Sequence, residues 1–457
     1  MNEETDSGNG LGRTLGLFTA TAIVVANMIG SGIFLTSGIM AGQLPGPGWV
    51  ILCWLLGGLI AISGALCYAE LATRMPQAGG EYVYLKRLYH PALGFLTGWT
   101  SFFVGFSAPI ALSALGFTEY LFTSLGNRFV FADPLMLTLW KKWFAILLIL
   151  VFTVLHCIGT RVGAQVQNAL TVLKIALILC LATAGMALSD GRFGSLSFNI
   201  NGPVEGMAFG AAMMLVMFSY SGWNASAYIA SELKRPKITL PVSLVAGTAI
   251  VIVIYLAINL FIFNSAPYAE LRGKVAVVET ASVWAFGNWL SDLLGGLIGV
   301  AMLSSLGAFI MIGPRIYYAM ARDRLFFPFA GKVHSRYGVP SKAIAVQGGL
   351  AVVMVAIGSF EQLLVYVGFA LGIFPLLAVA GIFIARSERI GEATAVRVWG
   401  YPVVPLFFML STLTLMAFAY FERPIESTAA VVSVLLGVPC YYLWIKGIRS
   451  RSASAGG

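Results

Sequence analysis

The sequence predicts an all-α polytopic membrane protein, and three observations support this class. Hydrophobic residues make up 59% of the 457 residues, and charged residues only 10%. The mean hydropathy is +0.87. The apolar residues gather in segments of about 20 residues, the length at which an α-helix crosses the hydrocarbon core of a bilayer. This apolar fraction is higher than that of typical water-soluble globular proteins.

Twelve such segments follow one another along the chain and predict 12 transmembrane helices. They cover approximately residues 17–40, 48–72, 92–124, 142–158, 163–188, 205–231, 241–264, 285–320, 342–358, 361–385, 402–421 and 427–446. Because the number of spans is even, both termini are expected on the same side of the membrane.

The basic residues indicate which side that is. With the N-terminus inside, the inner loops and tails carry twenty Lys and Arg residues and the outer loops carry seven, which leaves Lys174 inside a span. The positive-inside rule then predicts that both termini are cytoplasmic. This topology explains the net charge of +9, so we expect no nucleic-acid partner. The five cysteines lie in or beside apolar segments and predict no disulfide framework.

Two of the long segments are interrupted by small residues. Gly30, Ser31 and Gly32 lie in the first span, and Ser221 with Gly222 lies in the sixth. Glycine weakens a helix interior, although small residues also mark tight helix packing. The first and sixth spans are matching members of two five-span halves. Paired interruptions at matching positions predict broken helices that form a transporter binding site near the bilayer midplane.

Four stretches of sequence resemble the amino acid–polyamine–organocation (APC) superfamily of transporters. They are residues 29–34 (IGSGIF), 70–82 (ELATRMPQAGGEY), 218–224 (FSYSGWN) with 231–236 (SELKRP), and 321–328 (ARDRLFFP) with 332–334 (KVH) and Pro340. The third and fourth look most like the L-amino acid transporter (LAT) branch.

The resemblance implies a LeuT-like fold, a 5+5 inverted repeat with helices 1 and 6 broken and two helices appended. The chain would then consist of a cytoplasmic tail (1–14), the first repeat with helices 1–5 (15–190), the second with helices 6–10 (200–390), helices 11–12 (400–447) and a second cytoplasmic tail (448–457).

The resemblance also implies that main-chain groups at the two breaks bind the substrate. In the family pattern, N–H groups take the substrate carboxylate and carbonyl groups take its ammonium. The N–H groups would be those of Ser31, Gly32 and Ile33, and the carbonyls those of Met28, Phe218 and Ser221. Ile29, Gly30 and Ser219 belong to the same stretches, and Asn224 would line the side-chain pocket.

Two of these side chains carry further expectations. Phe218 stands where the family places an aromatic gate over the substrate, although an aromatic residue packed among neighbours is the simpler alternative. Ser221 stands where most relatives have glycine, so it would narrow the space beside the ammonium and limit access of large substrates.

Lys174 lies thirteen residues beyond Arg161, or about 20 Å along a helix. This is too deep for its side chain to reach the membrane surface, and an intramembrane lysine is functional by default. The resemblance implies that its ammonium takes the place of the sodium ion of sodium-driven relatives, touching helices 1 and 8. It therefore predicts sodium-independent transport, with proton coupling and a permanently charged brace both left open.

The remaining charged residues have simpler interpretations. Glu70, Glu81, Glu232 and Arg235 are assigned to cytoplasmic loops as solvated charges, with ion pairs that close an inward gate as the alternative. Arg315 is expected to lie near enough to the inner face to extend its side chain to the headgroups.

Several function classes are excluded or disfavoured. No Ser/His/Asp set, carboxylate pair or metal cluster converges in the apolar segments, so we expect no enzyme, cofactor or metal. A channel would show rings of charge or a repeated filter loop, whereas this chain has two unlike breaks. A cationic amino acid or polyamine carrier calls for an acidic side chain in the pocket, and none lies within a turn of either break. The sequence therefore predicts a secondary transporter of neutral L-amino acids, either an exchanger or proton-linked.

The expected partners are the amino acid substrate and membrane lipid. Animal members of the LAT branch join a heavy chain through a cysteine in the outer loop after the third span. Residues 125–140 contain no cysteine, so we expect no disulfide-linked heavy chain. The chain is therefore predicted to be a stand-alone protein of a bacterial inner membrane.

Overall fold

The computed structural model describes residues 11–125, 134–188, 200, 202–287, 291–358, 372–393, 395–422 and 424–454. Helices dominate these ranges. They are α1 (Leu17–Met28), α2 (Gly32–Gln43), α3 (Pro47–Arg74), α4 (Glu81–Leu88), α5 (Pro91–Thr100), α6 (Ala108–Leu125), α7 (Pro134–Cys157), α8 (Thr160–Leu188), α9 (Gly206–Tyr220), α10 (Ala225–Tyr228), α11 (Pro236–Ser265), α12 (Tyr268–Leu271), α13 (Val277–Phe286), α14 (Ser291–Ile312), α15 (Pro314–Arg322), α16 (Ser341–Ile357), α17 (Ile373–Ser387), α18 (Val403–Glu422), α19 (Pro424–Leu435) and α20 (Gly437–Ser454). A π-helical turn, Ser101–Ser107, joins α5 to α6.

The predicted membrane class is confirmed. Within the described ranges, nine helical segments are long and apolar enough to cross a membrane: Leu17–Gln43, Pro47–Arg74, Pro91–Phe122, Leu135–Cys157, Thr160–Ala187, Pro236–Ser265, Leu294–Arg322, Val403–Glu422 and Ser427–Lys446. Four shorter apolar helices, α9, α13, α16 and α17, accompany them. The chain is a multi-pass membrane protein.

The helices divide into an inner group and an outer group. The first span (α1 with α2), α3, the α5–α6 segment and α14 with α15 are mostly buried. In contrast, α7, α8, α18 and the last span turn large apolar side chains such as Leu147, Leu150 and Leu410 outward. Apolar side chains on an outer helix face are compatible with lipid. The first interrupted segment therefore lies inside the bundle, where irregular backbone survives at membrane depth, and the residues of α10 in the second are buried as well.

Several helix boundaries differ from the predicted ones. α7 begins at Pro134, eight residues before the predicted fourth span, because the apolar run before Lys141 and Lys142 continues the helix through both lysines. α13 is a separate helix that ends at Phe286, directly before Gly287, so the eighth span does not begin at 285. α20 continues to Ser454, beyond the predicted start of the C-terminal tail at 448. Residues 361–371 of the predicted tenth span lie outside the described residues.

Glu70 was expected to be a solvated loop charge, and that expectation is wrong. It lies near the end of α3 and is fully buried. Arg386 donates to it through Nε (3.0 Å) and Nη2 (2.6 Å), and Arg74 donates through Nε at 2.9 Å. The Val398 N–H adds a fourth bond at 2.8 Å. These bonds join the end of α3 to α17 and to the segment before α18, and they compensate the buried charge.

Glu232 and Arg315 form a second buried ion pair, which also corrects the expectations for both residues. Each side chain is only 1% exposed. Arg315 donates from Nε to Oε1 at 2.7 Å and from Nη2 to Oε2 at 3.0 Å. The Glu232 carbonyl also accepts from the Leu15 N–H, and the Lys234 N–H donates to the Leu15 carbonyl. The pair therefore ties α15 to the chain after α10 and to the residues that precede α1. Arg235, in contrast, is exposed as expected.

Candidate functional site

The first span is broken in the middle. α1 ends at Met28 and α2 begins at Gly32, and Ile29 leaves the helical region with φ −78° and ψ 89°. Gly30 and Gly32 explain why the helix is interrupted here, since each glycine destabilises the interior of a helix by about 1 kcal/mol relative to alanine. The break exposes the carbonyl end of α1 and the N–H end of α2 inside the protein.

The N–H end of α2 has free donors. Within the described residues, the main-chain N–H groups of Ser31, Gly32 and Ile33 donate to no protein acceptor. The first N–H groups of a helix have no partner inside the helix and carry its partial positive charge. Such a helix start is a ready anion site. A carboxylate placed here needs no buried cationic side chain to bind it.

The segment predicted as the sixth span is also broken. α9 ends at Tyr220 and α10 begins at Ala225. Between them, Gly222 has a φ of +100°, a conformation that L side chains rarely adopt. A Cβ at this position would also lie 3.0 Å from the Asn27 carbonyl oxygen. Glycine is therefore required here both by the turn and by the approach of α1.

The two broken helices touch through their backbones. A Cβ on Gly32 would lie 2.9 Å from the Cα of Ser219, closer than real Cβ atoms come. On the other side of this crossing, the Tyr255 hydroxyl of α11 lies 2.7 Å from the Met28 carbonyl and 2.7 Å from the Ser219 carbonyl. A hydroxyl carries one proton, so it donates to one of them at a time. These contacts place the breaks of the two helices next to each other.

The three carbonyls predicted to bind an ammonium are not equivalent in the structure. The Met28 carbonyl accepts from Gly30 N–H (2.9 Å) and from Tyr255. The Phe218 carbonyl accepts from Ser221 N–H (3.1 Å) and from Ser221 Oγ (2.7 Å). The Phe218 carbonyl therefore has two donors for its two lone pairs, and the Met28 carbonyl has two when the Tyr255 hydroxyl donates to it and not to Ser219. Among the described residues no donor reaches the Ser221 carbonyl, which is the acceptor of the three that stands open.

Lys174 of α8 lies directly behind the first break. Its side chain is fully buried, and its ammonium donates to the Ile29 carbonyl at 2.6 Å, to Ser305 Oγ at 3.0 Å and to the Ala26 carbonyl at 3.3 Å. These acceptors belong to the carbonyl end of α1, to the break itself and to α14. The cation therefore faces the negative end of the α1 dipole, where a positive charge is favoured.

A cavity of about 140 Å³ lies between the two breaks. It is smaller than the roughly 300–1,000 Å³ typical of sites for drug-sized ligands. Its walls include all but three of the residues predicted to form the site. Those on the wall are Met28, Gly30, Ser31, Gly32, Phe218, Ser219, Ser221 and Asn224. Ile29 and Ile33 are fully buried and turned away from it, and Lys174 stands behind the first break.

Glu81 also lines this cavity, which overturns two expectations. It was assigned to a solvated loop, yet it is the first residue of the short buried helix α4 and is 5% exposed. Its Oε1 accepts from Tyr68 Oη at 2.7 Å and from Asn224 Nδ2 at 2.5 Å. The expectation that no acidic side chain reaches the pocket is therefore wrong, because residues far from both breaks in sequence fold back beneath it.

Several other wall residues could not be recognised from the sequence. Thr100 and Ser101 come from the α5 end and the π-helical turn, and Trp223, Phe309 and Phe374 supply aromatic surface. π-Helical turns often occur at functional sites, but no simple residue pattern predicts where such a turn forms. For Glu81 a local signal existed, since Gly79 and Gly80 precede it directly and both have positive φ.

The sequence model of the amino acid permease family matches residues 15–441, almost the whole chain and all of the site described above. The chain belongs to the amino acid permease family. The predicted membership of the APC superfamily is thereby confirmed.

Three relatives support the resemblance to the LAT branch. The chain is 31% identical over 451 residues to the serine/threonine exchanger SteT of Bacillus subtilis, covering 98% of this chain and 99% of that one. It is 26% identical over 441 residues to the b(0,+)-type amino acid transporter 1 of Homo sapiens, covering 95% and 88%. It is 27% identical over 455 residues to the large neutral amino acids transporter small subunit 2 of Oryctolagus cuniculus, covering 97% and 83%. All three are named as transporters or exchangers and none as an enzyme.

Proposed function

We propose that this amino acid permease exchanges neutral L-amino acids across a bacterial plasma membrane by alternating access, without sodium. The observation that carries the proposal is that two broken helices face one small cavity with main-chain groups of opposite polarity. A secondary transporter built from discontinuous helices binds its substrate at such a place. The names of the bacterial and mammalian relatives support amino acids as the substrate class.

The main-chain groups fit the two ends of a zwitterion. The substrate carboxylate would accept from the free N–H groups of Ser31, Gly32 and Ile33, and its ammonium would donate to the open Ser221 carbonyl. To reach the Met28 or Phe218 carbonyl, the ammonium has to replace a donor that is already there. The replaceable donors are hydroxyls, because a hydroxyl rotates away without moving the backbone.

The size of the cavity and the Ser221 side chain favour small substrates. The Ser221 hydroxyl occupies the space beside the Phe218 carbonyl at 2.7 Å. Phe218 lines the same wall and would cover the bound amino acid as a gate. Asn224 also lines the cavity and would contact the substrate side chain. Serine, threonine and alanine are therefore the first substrates to test.

Sodium independence is supported by the position of Lys174. Its ammonium holds three acceptors at the break in α1, two of them main-chain carbonyls. A sodium ion would need the same kind of oxygen ligands. We propose that the lysine braces the break in every step of the cycle, and that no metal ion is required there.

The proposed topology has twelve spans and both termini in the cytoplasm. The nine long helical segments, together with the shorter α9, α16 and α17, make up this number within the described residues. The distribution of basic residues supports the orientation. The repeats would cover residues 15–190 and 200–390, with 400–447 appended and residues 1–14 and 448–457 as tails. We propose that the chain works without a disulfide-linked heavy chain.

A cationic amino acid or polyamine carrier is the second candidate function. Glu81 favours it, because a carboxylate in the cavity wall is the group that selects a cationic side chain. Against it, Oε1 of Glu81 is already occupied by two neutral donors, and within the described residues the cavity wall holds no second carboxylate.

Exchange in proteoliposomes tests the proposal. Purified protein is reconstituted into vesicles loaded with unlabelled serine, and uptake of labelled neutral, cationic and acidic amino acids is measured in sodium and in choline medium. We expect uptake of small neutral amino acids that depends on internal substrate and is equal in both media. Uptake that needs sodium contradicts the role given to Lys174, and uptake without internal substrate contradicts exchange.

The gate is tested by Phe218→Ala in the same vesicles. We expect a higher apparent substrate constant or no exchange, because the side chain that covers the substrate is lost. Phe421→Ala is the matched control, since that ring lies on the outside of α18 and is 72% exposed. If Phe218→Ala keeps the substrate constant of the control, Phe218 is an ordinary packing residue.

A further inference from the structure

Three glutamates are buried in the described part of the protein, and one of them differs from the other two. Glu70 has Arg74 and Arg386 as partners, and Glu232 has Arg315. Glu81 has no cationic partner among the described residues. A buried carboxylate without a countercharge is costly, and such a group usually takes up a proton instead. The unpaired carboxyl is also the one that lines the substrate cavity.

The groups around Glu81 are neutral. Tyr68 of α3 and Asn224 donate to its Oε1, and Asn224 Nδ2 also lies 3.1 Å from the Tyr228 hydroxyl. The Tyr228 hydroxyl is a further hydrogen-bond partner of the carboxyl. Tyr84, on the same helix, contributes a buried hydroxyl that bonds to nothing in the described structure.

The charged groups of the helices that pack against α4 do not bond to Glu81 in the described structure. Arg315 of α15 pairs with Glu232, and Arg322 of α15 is exposed. Asp323, at the end of α15, pairs with Lys86 at 2.5 Å. Arg386 of α17 pairs with Glu70, and α5 carries no charged residue. Among the residues that the structure describes, no cation therefore pairs with Glu81. Burial raises the pKa of Glu81 above its usual value, and the hydrogen bonds from Tyr68 and Asn224 oppose this only in part.

We propose that Glu81 is a proton-binding site in the wall of the substrate cavity, and that the transporter exchanges amino acids while Glu81 is protonated. This inference rests on the proposed function. The link to the substrate is Asn224, the residue just before α10, which lines the cavity and donates from its amide to Glu81. The protonated acid presents a neutral wall to a zwitterion, whereas the carboxylate places a charge beside it.

The proposal predicts the sign of the pH dependence. Because burial raises the pKa of Glu81, the acid keeps its proton to a higher pH than an exposed glutamate does and loses it as the pH rises. Exchange should therefore fall on the alkaline side. Removing the Tyr68 hydroxyl takes away a donor that favours the carboxylate, so the fall should then occur at higher pH.

The test is the pH profile of serine exchange in proteoliposomes, with equal pH on both sides and three variants beside the wild type. We expect an alkaline loss of at least tenfold in the wild type, no such loss in Glu81→Gln, and a midpoint moved to higher pH in Tyr68→Phe. Tyr84→Phe is the matched control, because it removes a neighbouring hydroxyl that does not bond to Glu81, and its profile should follow the wild type.

Several results would overturn the proposal. One is a wild-type exchange rate that does not fall at alkaline pH, and another is a Glu81→Gln variant whose exchange rate still falls there. A third is a monodisperse Glu81→Gln variant that is inactive at every pH, since the amide imitates the protonated acid. Competition by lysine or arginine that Glu81→Gln abolishes would show that the carboxyl binds a cationic side chain instead. If Glu81→Gln fails to fold, the direction of the Tyr68→Phe shift decides.

A spectroscopic measurement separates this inference from the proposed function. Infrared difference spectra of the purified protein between neutral and alkaline pH, where exposed carboxyls stay ionised, should contain the C=O stretch of a protonated carboxylic acid, and Glu81→Gln should lack it. This signal requires no transported substrate. Its absence from the wild type refutes the proton site even if neutral amino acids are exchanged, and its presence stands even if the substrate class is different.

Discussion

The buried pair of Glu232 and Arg315 allows a quantitative prediction. In Glu232→Gln the shape of the side chain is kept, but the guanidinium of Arg315 loses its countercharge while both groups remain 1% exposed. Two hydrogen bonds, at 2.7 and 3.0 Å, join the pair, and the amide accepts only one of them. Breaking a buried pair by removing one partner costs about 3–5 kcal/mol. Because one hydrogen bond survives, we expect a loss near 3 kcal/mol.

The assay is reversible unfolding in mixed micelles, in which the free energy of unfolding is compared between variants. Glu392→Gln is the control, since Glu392 pairs with Lys237 at 2.9 Å on the surface with 42% exposure, and exposed pairs contribute less than about 1 kcal/mol. The double variant Glu232→Gln with Arg315→Met should recover most of the loss, because it removes the stranded cation. Equal losses in Glu232→Gln and Glu392→Gln would refute the reasoning.

Three further predictions concern the breaks. Gly32→Ala should lower the free energy of unfolding by about 1–3 kcal/mol, because its methyl group would meet the Cα of Ser219. Gly30→Ala has nothing within 4 Å of its Cβ, so it should unfold like the wild type and weaken substrate binding by filling the cavity. Equal melting curves for the two variants would contradict this prediction. Ser221→Gly should admit larger neutral amino acids, seen as competition by leucine against labelled serine, and an unchanged competition profile would exclude a size role. Lys174→Met should abolish exchange and leave it unrestored by sodium, because a methionine cannot donate to the carbonyls at the break, and sodium-restored uptake would show that a cation site remains there.

The broken helices were predictable because their cause is local. Glycine weakens a helix wherever the tertiary structure puts it, so Gly30, Gly32 and Gly222 report the breaks without knowledge of the fold. The depth of Lys174 followed in the same way from counting residues along one helix. Its contacts with helices 1 and 8 could be predicted only through the family resemblance. The partners Ile29 and Ser305 lie 131 or more positions away in the sequence, and only the fold brings them to Lys174.

Burial of charged side chains at the ends of spans was not predictable in this way. Glu70, Glu81 and Glu232 stand in polar stretches between apolar segments, where solvated charge is the ordinary outcome. What buries them is the packing of α4, α15 and α17 against the ends of α3 and α10, a long-range arrangement that has no local pattern. The consequence for Glu81 is functional, because it turns a supposed loop residue into part of the cavity wall.

The sequence also could not predict which groups donate to the Met28 and Phe218 carbonyls. A sequence motif identifies the Met28 and Phe218 carbonyls as unpaired by their own helices, but it does not show which side chains reach them. In the structure, hydroxyls of Tyr255 and Ser221 occupy both. Each carbonyl also accepts from a main-chain N–H, that of Gly30 or Ser221, so each hydroxyl adds a second hydrogen bond, which contributes about 0.5–1.5 kcal/mol. An arriving ammonium offers the same carbonyls a charged donor, which forms a stronger hydrogen bond than a hydroxyl. In the proposed binding mode, substrate binding would therefore exchange one donor for another at these carbonyls.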